Sequence, residues 1–123
     1  MKKILIVDDE KEIRDLLKKK LEKQGFAAVT ASGGQDALAL CKTDKPDLVL
    51  LDIAMPEMDG YETCEKLKQD KECKDVPVVF LTAKDLEPEG LSDRYKGLGA
   101  SGYLHKPSTF NELLGKIKEI IGS

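Results

Sequence analysis

Residues 4–9 read Ile-Leu-Ile-Val-Asp-Asp, a strand-length apolar run that ends in two carboxylates. A second run, residues 48–51, is Leu-Val-Leu-Leu and ends in Asp52. Two later apolar runs end in Thr82 and in the triplet 105–107, His-Lys-Pro. If these runs are neighbouring parallel strands, their terminal polar residues meet at one carboxyl edge, where open α/β sheets place their ligand sites. The pattern therefore predicts one polar site assembled from distant parts of the chain.

The rest of the chain alternates such runs with amphipathic stretches. Apolar residues recur at helical spacing after residue 9, and Gly25 ends this first helix. The remaining predicted elements are a weaker strand over 26–31, a helix with Ser32 as N-cap, and helices over about 61–68, 89–98 and 109–121. Five strands alternating with five helices predict an α/β fold: a five-stranded parallel sheet in the order 2-1-3-4-5 with helices on both faces, flavodoxin-like (βα)5.

Composition narrows the class of protein. The chain has 123 residues, 20 of them basic and 23 acidic, so residues 1–123 are expected to form one domain with a formal charge of −3. It carries no basic stripe, which argues against direct binding of nucleic acid. Its cysteines lack a CxxC spacing, its apolar runs are only strand-length, and no signal peptide precedes the first strand. We therefore expect a cytoplasmic protein that does not bind a membrane.

The strand-end residues have the chemistry of a metal and phosphoryl site. Two carboxylates about 4 Å apart repel by about 4 kcal/mol at an effective dielectric near 20, so Asp8, Asp9 and Asp52 call for a proton or a cation. Mg²⁺ is the natural cation, because it prefers carboxylates, waters and phosphoryl oxygens. Lys106 adds a compact positive charge and Thr82 a hydroxyl donor. Any one of these aspartates could be a simple turn or cap residue, but three on one edge favour a site.

These residues resemble a known family. The ordered motifs are residues 4–10 (ILIVDDE), 50–60 (LLDIAMPEMDG), 81–83 (LTA), 99–100 (GA) and 103–107 (YLHKP). Together they resemble the response-regulator receiver domain of two-component signalling, of the chemotaxis-type single-domain kind, over essentially the whole chain. The resemblance implies a phosphorylation-dependent signalling switch and not an enzyme acting on other substrates.

The resemblance also implies roles for individual residues. Asp52 would accept a phosphoryl group from a sensor histidine kinase or a histidine phosphotransfer protein. Asp8, Asp9, Asp52 and the backbone carbonyl of Ala54 would hold Mg²⁺ or Mn²⁺. Ala54 and Lys84 would flank the path of the hydrolytic water and tune the loss of the phosphoryl group by autodephosphorylation.

The other end of the site would bind the phosphoryl group. Lys106 would pair with its oxygens, and Thr82 and the Ala83 backbone would hydrogen-bond to it. Thr82 and Tyr103 would move together as the switch, and the Lys106-Pro107 peptide bond would be cis. The downstream target is left open, and the protein is expected to be a monomer or a weak dimer.

Two other functions share part of this pattern. A haloacid-dehalogenase-like phosphohydrolase also uses Mg²⁺ and an aspartate, but its nucleophile usually ends the first strand in a DxD motif. A flavodoxin-like cofactor protein would need a hydroxyl- and glycine-rich loop where this chain has an acidic doublet.

Some residues near these motifs are assigned ordinary roles. Cys41 and Cys64 fit helix faces packed on the sheet, whereas Cys73 is expected in an exposed loop. Pro88 and Gly90 predict that the helix over 89–98 is short or mobile.

Overall fold

The computed structural model describes residues 1–83, 97–106 and 109–122, with the backbone alone at 82–83 and 105–106. The strands are β1 (Lys3–Val7), β2 (Ala27–Ala31), β3 (Leu48–Asp52), β4 (Val78–Ala83) and β5 (Gly102–Lys106). The described helices are α1 (Lys11–Lys23), α2 (Gly34–Thr43), α3 (Gly60–Gln69) and α4 (Phe110–Ile121). The predicted helix over 89–98 falls mostly on residues outside these ranges.

The five strands form one parallel sheet in the order β2-β1-β3-β4-β5. Central strands β1 and β3 are apolar along almost their whole length, as strands covered on both faces must be. β2 lies at an edge, as its alanines and threonine predicted. The predicted fold class and strand order are confirmed.

Alternate residues of each strand feed two separate cores. Odd-numbered residues of β1 and β3 pack with α2 and α3, whereas even-numbered ones pack with α1 and α4. Leu5 and Val49 belong to the first core, and Ile4 and Leu48 to the second, all of them fully buried. Covering both faces holds the ends of the central strands rigidly in place.

Two local predictions were wrong. The N-cap of α2 is Gly33, because the Ser32 hydroxyl is engaged instead with the Asp36 carboxylate at 2.8 Å. Cys73 is fully buried and not exposed. The chain after α3 folds back in turns, with the Cys73 amide donating to the Asp70 carbonyl at 3.2 Å, and this places Cys73 in the same buried core as Cys41.

Within the described ranges, none of the helices has both the length and the apolar character needed to cross a bilayer.

Candidate metal centre at the carboxyl edge

The register of the sheet brings Asp8 and Asp52 to the same level on neighbouring strands. Val7 of β1 pairs with Leu51 of β3, so Asp8, directly after β1, lies level with Asp52, the last residue of β3. The Asp8 amide continues the ladder by donating to the Ala31 carbonyl at 3.2 Å. Neighbouring strands lie about 4.8 Å apart, so the two aspartate backbones are separated by roughly that spacing.

Both aspartates are almost inaccessible to solvent. Asp8 is 1% and Asp52 is 6% exposed, which is unusual for carboxylates. Both aspartates have even numbers, and the even-numbered residues of β1 and β3 lie on the face of the sheet that α1 and α4 cover. At a separation equal to that backbone spacing, two carboxylates would repel by roughly 3 kcal/mol at an effective dielectric of 20. A cation bound beside them would relieve that repulsion.

The turn between β1 and α1 adds two more carboxylates. One carboxylate oxygen from each of Asp8, Asp9 and Glu10 lies within 4.8 Å of the others, and Asp9 and Glu10 are exposed. The Glu10 amide donates to the Asp8 carboxylate at 2.9 Å and so fixes its orientation. Glu10 was not assigned a site role from the sequence, although it directly follows the acidic doublet. Asp52 is not part of this compact group.

Arg14 of α1 also contacts the turn between β1 and α1. Its guanidinium donates to the Asp8 backbone carbonyl at 2.8 Å, in a half-buried position. No sequence motif marks this residue. An arginine on the first turns of a helix is ordinarily a solvated side chain, and only the fold of the turn reveals its contact with Asp8.

The loop after Asp52 folds tightly against the end of β3. The Gly60 amide donates to the Ile53 carbonyl at 2.9 Å, and Asp59 caps α3 by accepting from the Glu62 amide at 2.9 Å. A Cβ on Gly60 would lie 2.5 Å from the Asp52 carbonyl oxygen, so only glycine fits there without movement. Ala54 lies exposed at the start of this loop.

The ends of β4 and β5 complete the edge. Asp52 pairs with Leu81, so Thr82 follows one position further along, and Ala83 pairs with Lys106 on β5. The side chains of Thr82, Ala83 and Lys106 lie outside the described part of the chain, as do Lys84 and Pro107 entirely. Their predicted roles and the predicted cis peptide bond stay predictions. Tyr103 of β5 is half-buried against the core formed with α2 and α3.

The donor set suits a hard divalent cation. Mg²⁺ binds oxygen ligands at about 2.1 Å and commonly uses one or two carboxylates with waters and phosphoryl oxygens. The carboxylates of Asp8 and Asp9 lie close enough together to approach one ion, and the buried Asp52 adds negative charge beside them. The residues present therefore fit Mg²⁺.

Known proteins share both the sequence and the fold. A family model of the response regulator receiver domain matches residues 4–118. The alkaline phosphatase synthesis transcriptional regulatory protein PhoP of Bacillus subtilis is 43% identical over 122 residues, covering 98% of this chain and 48% of that protein. The chain thus spans about half the length of the curated relatives that it matches first.

Two solved structures superpose over nearly the whole chain. Chemotaxis protein CheY4 of Vibrio cholerae has a TM-score of 0.90 at 30% identity, covering 98% of both chains. Response regulator protein TrrA of Thermotoga maritima, solved in complex with Mg²⁺ and BeF, has a TM-score of 0.83 at 38% identity, covering 98% of this chain and 99% of that chain. The predicted resemblance is therefore confirmed, and the chain belongs to the response-regulator receiver domain family.

Proposed function

We propose that this chain is a phosphorylation-dependent switch in which Asp52 is the residue that accepts the phosphoryl group. Receiver domains of response regulators are phosphorylated on an aspartate with Mg²⁺. The observation that supports Asp52 is its burial at the end of a central strand, level with the buried Asp8 of β1. Asp9 and Glu10, which are exposed, are better suited to holding a cation than to acting as the nucleophile.

Each residue of the site has a separate task in the transfer. A carboxylate oxygen of Asp52 attacks phosphorus in line, forming an acyl phosphate P–O bond while the bond to the donor nitrogen breaks and that nitrogen keeps the electron pair. Asp8, Asp9 and the Ala54 carbonyl hold the cation, with Asp52 as a further ligand. Bound Mg²⁺ supplies neutralisation of charge on the phosphoryl oxygens, which is what such transfers chiefly need.

Lys106, Thr82 and the Ala83 backbone would bind the transferred group. Lys106 ends the strand next to β4, and the ammonium of a lysine can pair with a phosphoryl oxygen as a point charge. The new group brings roughly −1.5 to −2 charges at neutral pH, by analogy with other phosphorylated residues. A conformation in which Thr82 reaches that group and Tyr103 turns further inward is thereby favoured over the resting one. The switch is a shift of populations and requires no new fold.

The proposed signalling role includes loss of the phosphoryl group. An acyl phosphate is open to attack by water, and Ala54 and Lys84 would flank the path of that water. Autodephosphorylation would be the chain's own activity, and turnover of unrelated phosphomonoesters is not expected. Mn²⁺ would serve in place of Mg²⁺, because both ions accept carboxylate and water ligands.

Partners follow from the same chemistry. Receiver domains take phosphoryl groups from histidine kinases, and the donor here would be a sensor kinase or a histidine phosphotransfer protein. The formal charge of −3 and the lack of a basic stripe favour a protein as the immediate target over nucleic acid. We propose that the chain acts as a monomer or a weak dimer.

Intact-mass measurement with Mg²⁺ and acetyl phosphate tests this proposal. The wild-type mass rises by one phosphoryl group, Asp52→Asn prevents the gain, and removal of Mg²⁺ by a chelator slows it strongly. Asp75→Asn, at an exposed carboxylate beyond the opposite end of the sheet, serves as the matched control and accepts the group normally. Unchanged labelling of Asp52→Asn, or rapid multiple turnover of a phosphomonoester, would refute the proposal.

A further inference from the structure

Two cationic side chains on the same face of α1 donate hydrogen bonds to backbone carbonyls outside the helix. The Arg14 guanidinium donates to the Asp8 carbonyl at 2.8 Å, and one turn later the Lys18 ammonium donates to the Ala28 carbonyl of β2, also at 2.8 Å. Both bonds are partly buried, and both join a charged donor to a backbone carbonyl. They differ in position, because Arg14 acts at the metal centre and Lys18 acts at the edge strand away from it.

The Arg14 bond acts on the point where the chain leaves β1. The Asp8 carbonyl belongs to the peptide group that leads into Asp9, so holding this carbonyl restrains the orientation of the following residue. The Asp8 carboxylate is held separately by the Glu10 amide at 2.9 Å. The turn is therefore restrained at both the carbonyl and the carboxylate of Asp8. Hydrogen bonds with an ionised partner are stronger than neutral ones, and partial burial strengthens them further.

We propose that Arg14 is a positioning residue for the metal centre, because its bond to the Asp8 carbonyl sets the Asp8 and Asp9 carboxylates in the arrangement that a divalent cation needs. This inference rests on the proposed function. The compact grouping of the Asp8, Asp9 and Glu10 carboxylates, within 4.8 Å of one another, is the arrangement that the bond maintains. Like charges this close repel one another, so a hydrogen bond that restrains the turn favours the grouping that a cation needs.

A second effect of Arg14 has the opposite sign. Its positive charge repels a divalent cation, so removing the charge alone would tighten metal binding. Removing the hydrogen bond from Arg14 to the Asp8 carbonyl would instead weaken metal binding. The direction of the change in Mg²⁺ affinity therefore separates the two roles, and the variant Arg14→Lys, which keeps the charge and one possible donor, tests the bond itself.

The experiment compares Arg14→Met, Arg14→Lys and Lys18→Met. Calorimetric titration with Mg²⁺ is expected to show a dissociation constant about tenfold higher for Arg14→Met, the lower range for residues that support metal ligands. Arg14→Lys recovers most of the affinity. Lys18→Met loses the same kind of bond from the same helix and keeps the wild-type affinity.

Hydrogen exchange of the Glu10 amide without metal gives a readout that does not depend on metal binding. Exchange is faster in Arg14→Met and unchanged in Lys18→Met, because only the first releases the turn. Equal or tighter Mg²⁺ binding by Arg14→Met would overturn the inference, as would an equal loss in Lys18→Met. If the wild-type protein bound no Mg²⁺, the proposed function itself would fail, and that result is distinguishable because it appears before any substitution is made.

Discussion

Replacing Gly60 by alanine should displace the end of the strand that carries Asp52. A Cβ at this position would lie 2.5 Å from the Asp52 carbonyl oxygen and 2.7 Å from the Ile53 Cα. Both are backbone atoms of a chain segment at the end of a fully buried strand, so neither can rotate out of the way. The Gly60 amide also donates to the Ile53 carbonyl at 2.9 Å, so relief of the clash lengthens that bond.

The expected cost follows from these contacts. Overpacking of this kind lowers the free energy of unfolding by about 1–3 kcal/mol. The higher helix propensity of alanine offsets less than about 1 kcal/mol of this loss at a first helical position. A net loss of about 2 kcal/mol in the free energy of unfolding corresponds to a melting temperature lower by roughly 8 °C in a domain of this size. Because the clash falls on Asp52, the rate of phosphorylation by acetyl phosphate should fall as well.

Urea unfolding followed by far-UV circular dichroism measures the stability change. Gly115→Ala is the matched control, because a Cβ placed at this position in the middle of α4 would have no described atom within 4 Å apart from its chain neighbours and the adjacent helix backbone. That substitution should stabilise the protein by about 0.5–1 kcal/mol through helix propensity alone. If Gly60→Ala were as stable as the wild type, the close approach to Asp52 would not constrain the site, and the reasoning would be refuted.

Three further predictions concern thiol ionisation, helix capping and buried charge. Burial, together with a hydrogen bond to Cys73, raises the pKa of Cys41 from 9.0 to about 12. The unfolded chain therefore loses this proton first, and stability should fall between about pH 9 and 12 by about 1.4 kcal/mol per pH unit; Cys41→Ala should lower that slope in urea titrations. Asp59→Ala removes the cap that accepts from the Glu62 amide, and should cost about 1 kcal/mol in the same assay; unchanged stability would contradict the capping role. Asp52→Asn removes a buried carboxylate that would contribute to the proposed cation site. Mg²⁺ should then raise the melting temperature of the wild type much more than that of this variant, and equal shifts would contradict a site that includes Asp52.

The fold could be predicted because its central strands are continuous apolar runs in the sequence. Residues 4–7 and 48–51 are apolar at every position, which in a domain of this size means burial on both faces and a parallel sheet. Turn-level detail was not predictable in the same way. Cys73 lies in a highly charged stretch without periodicity, and its burial depends on how the turns after α3 fold back toward Cys41.

The residues of the site show the same contrast between strand ends, which could be predicted, and turns, which could not. Asp8 and Asp52 could be placed from the sequence, because strand-terminal residues of a parallel sheet share one edge. Glu10 and Arg14 could not, because their contributions come from the conformation of a single turn, where a backbone carbonyl meets a guanidinium. A backbone carbonyl leaves no mark in a sequence pattern, so contacts made to it must be read from the structure.

The two buried aspartates share one kind of contact, made at the backbone carbonyl. In each case the segment that follows the strand contacts the backbone carbonyl of the aspartate: Arg14 of α1 donates to that of Asp8, and Gly60 of α3 packs against that of Asp52. Contacts made to the main chain do not depend on the charge state or the ligand of either carboxylate. Under the proposed function, a phosphoryl group could come and go on Asp52 while the main chain at Asp8 keeps its position beside the cation. For a reversible switch this separation is an advantage, because the site must return to the same geometry after every cycle.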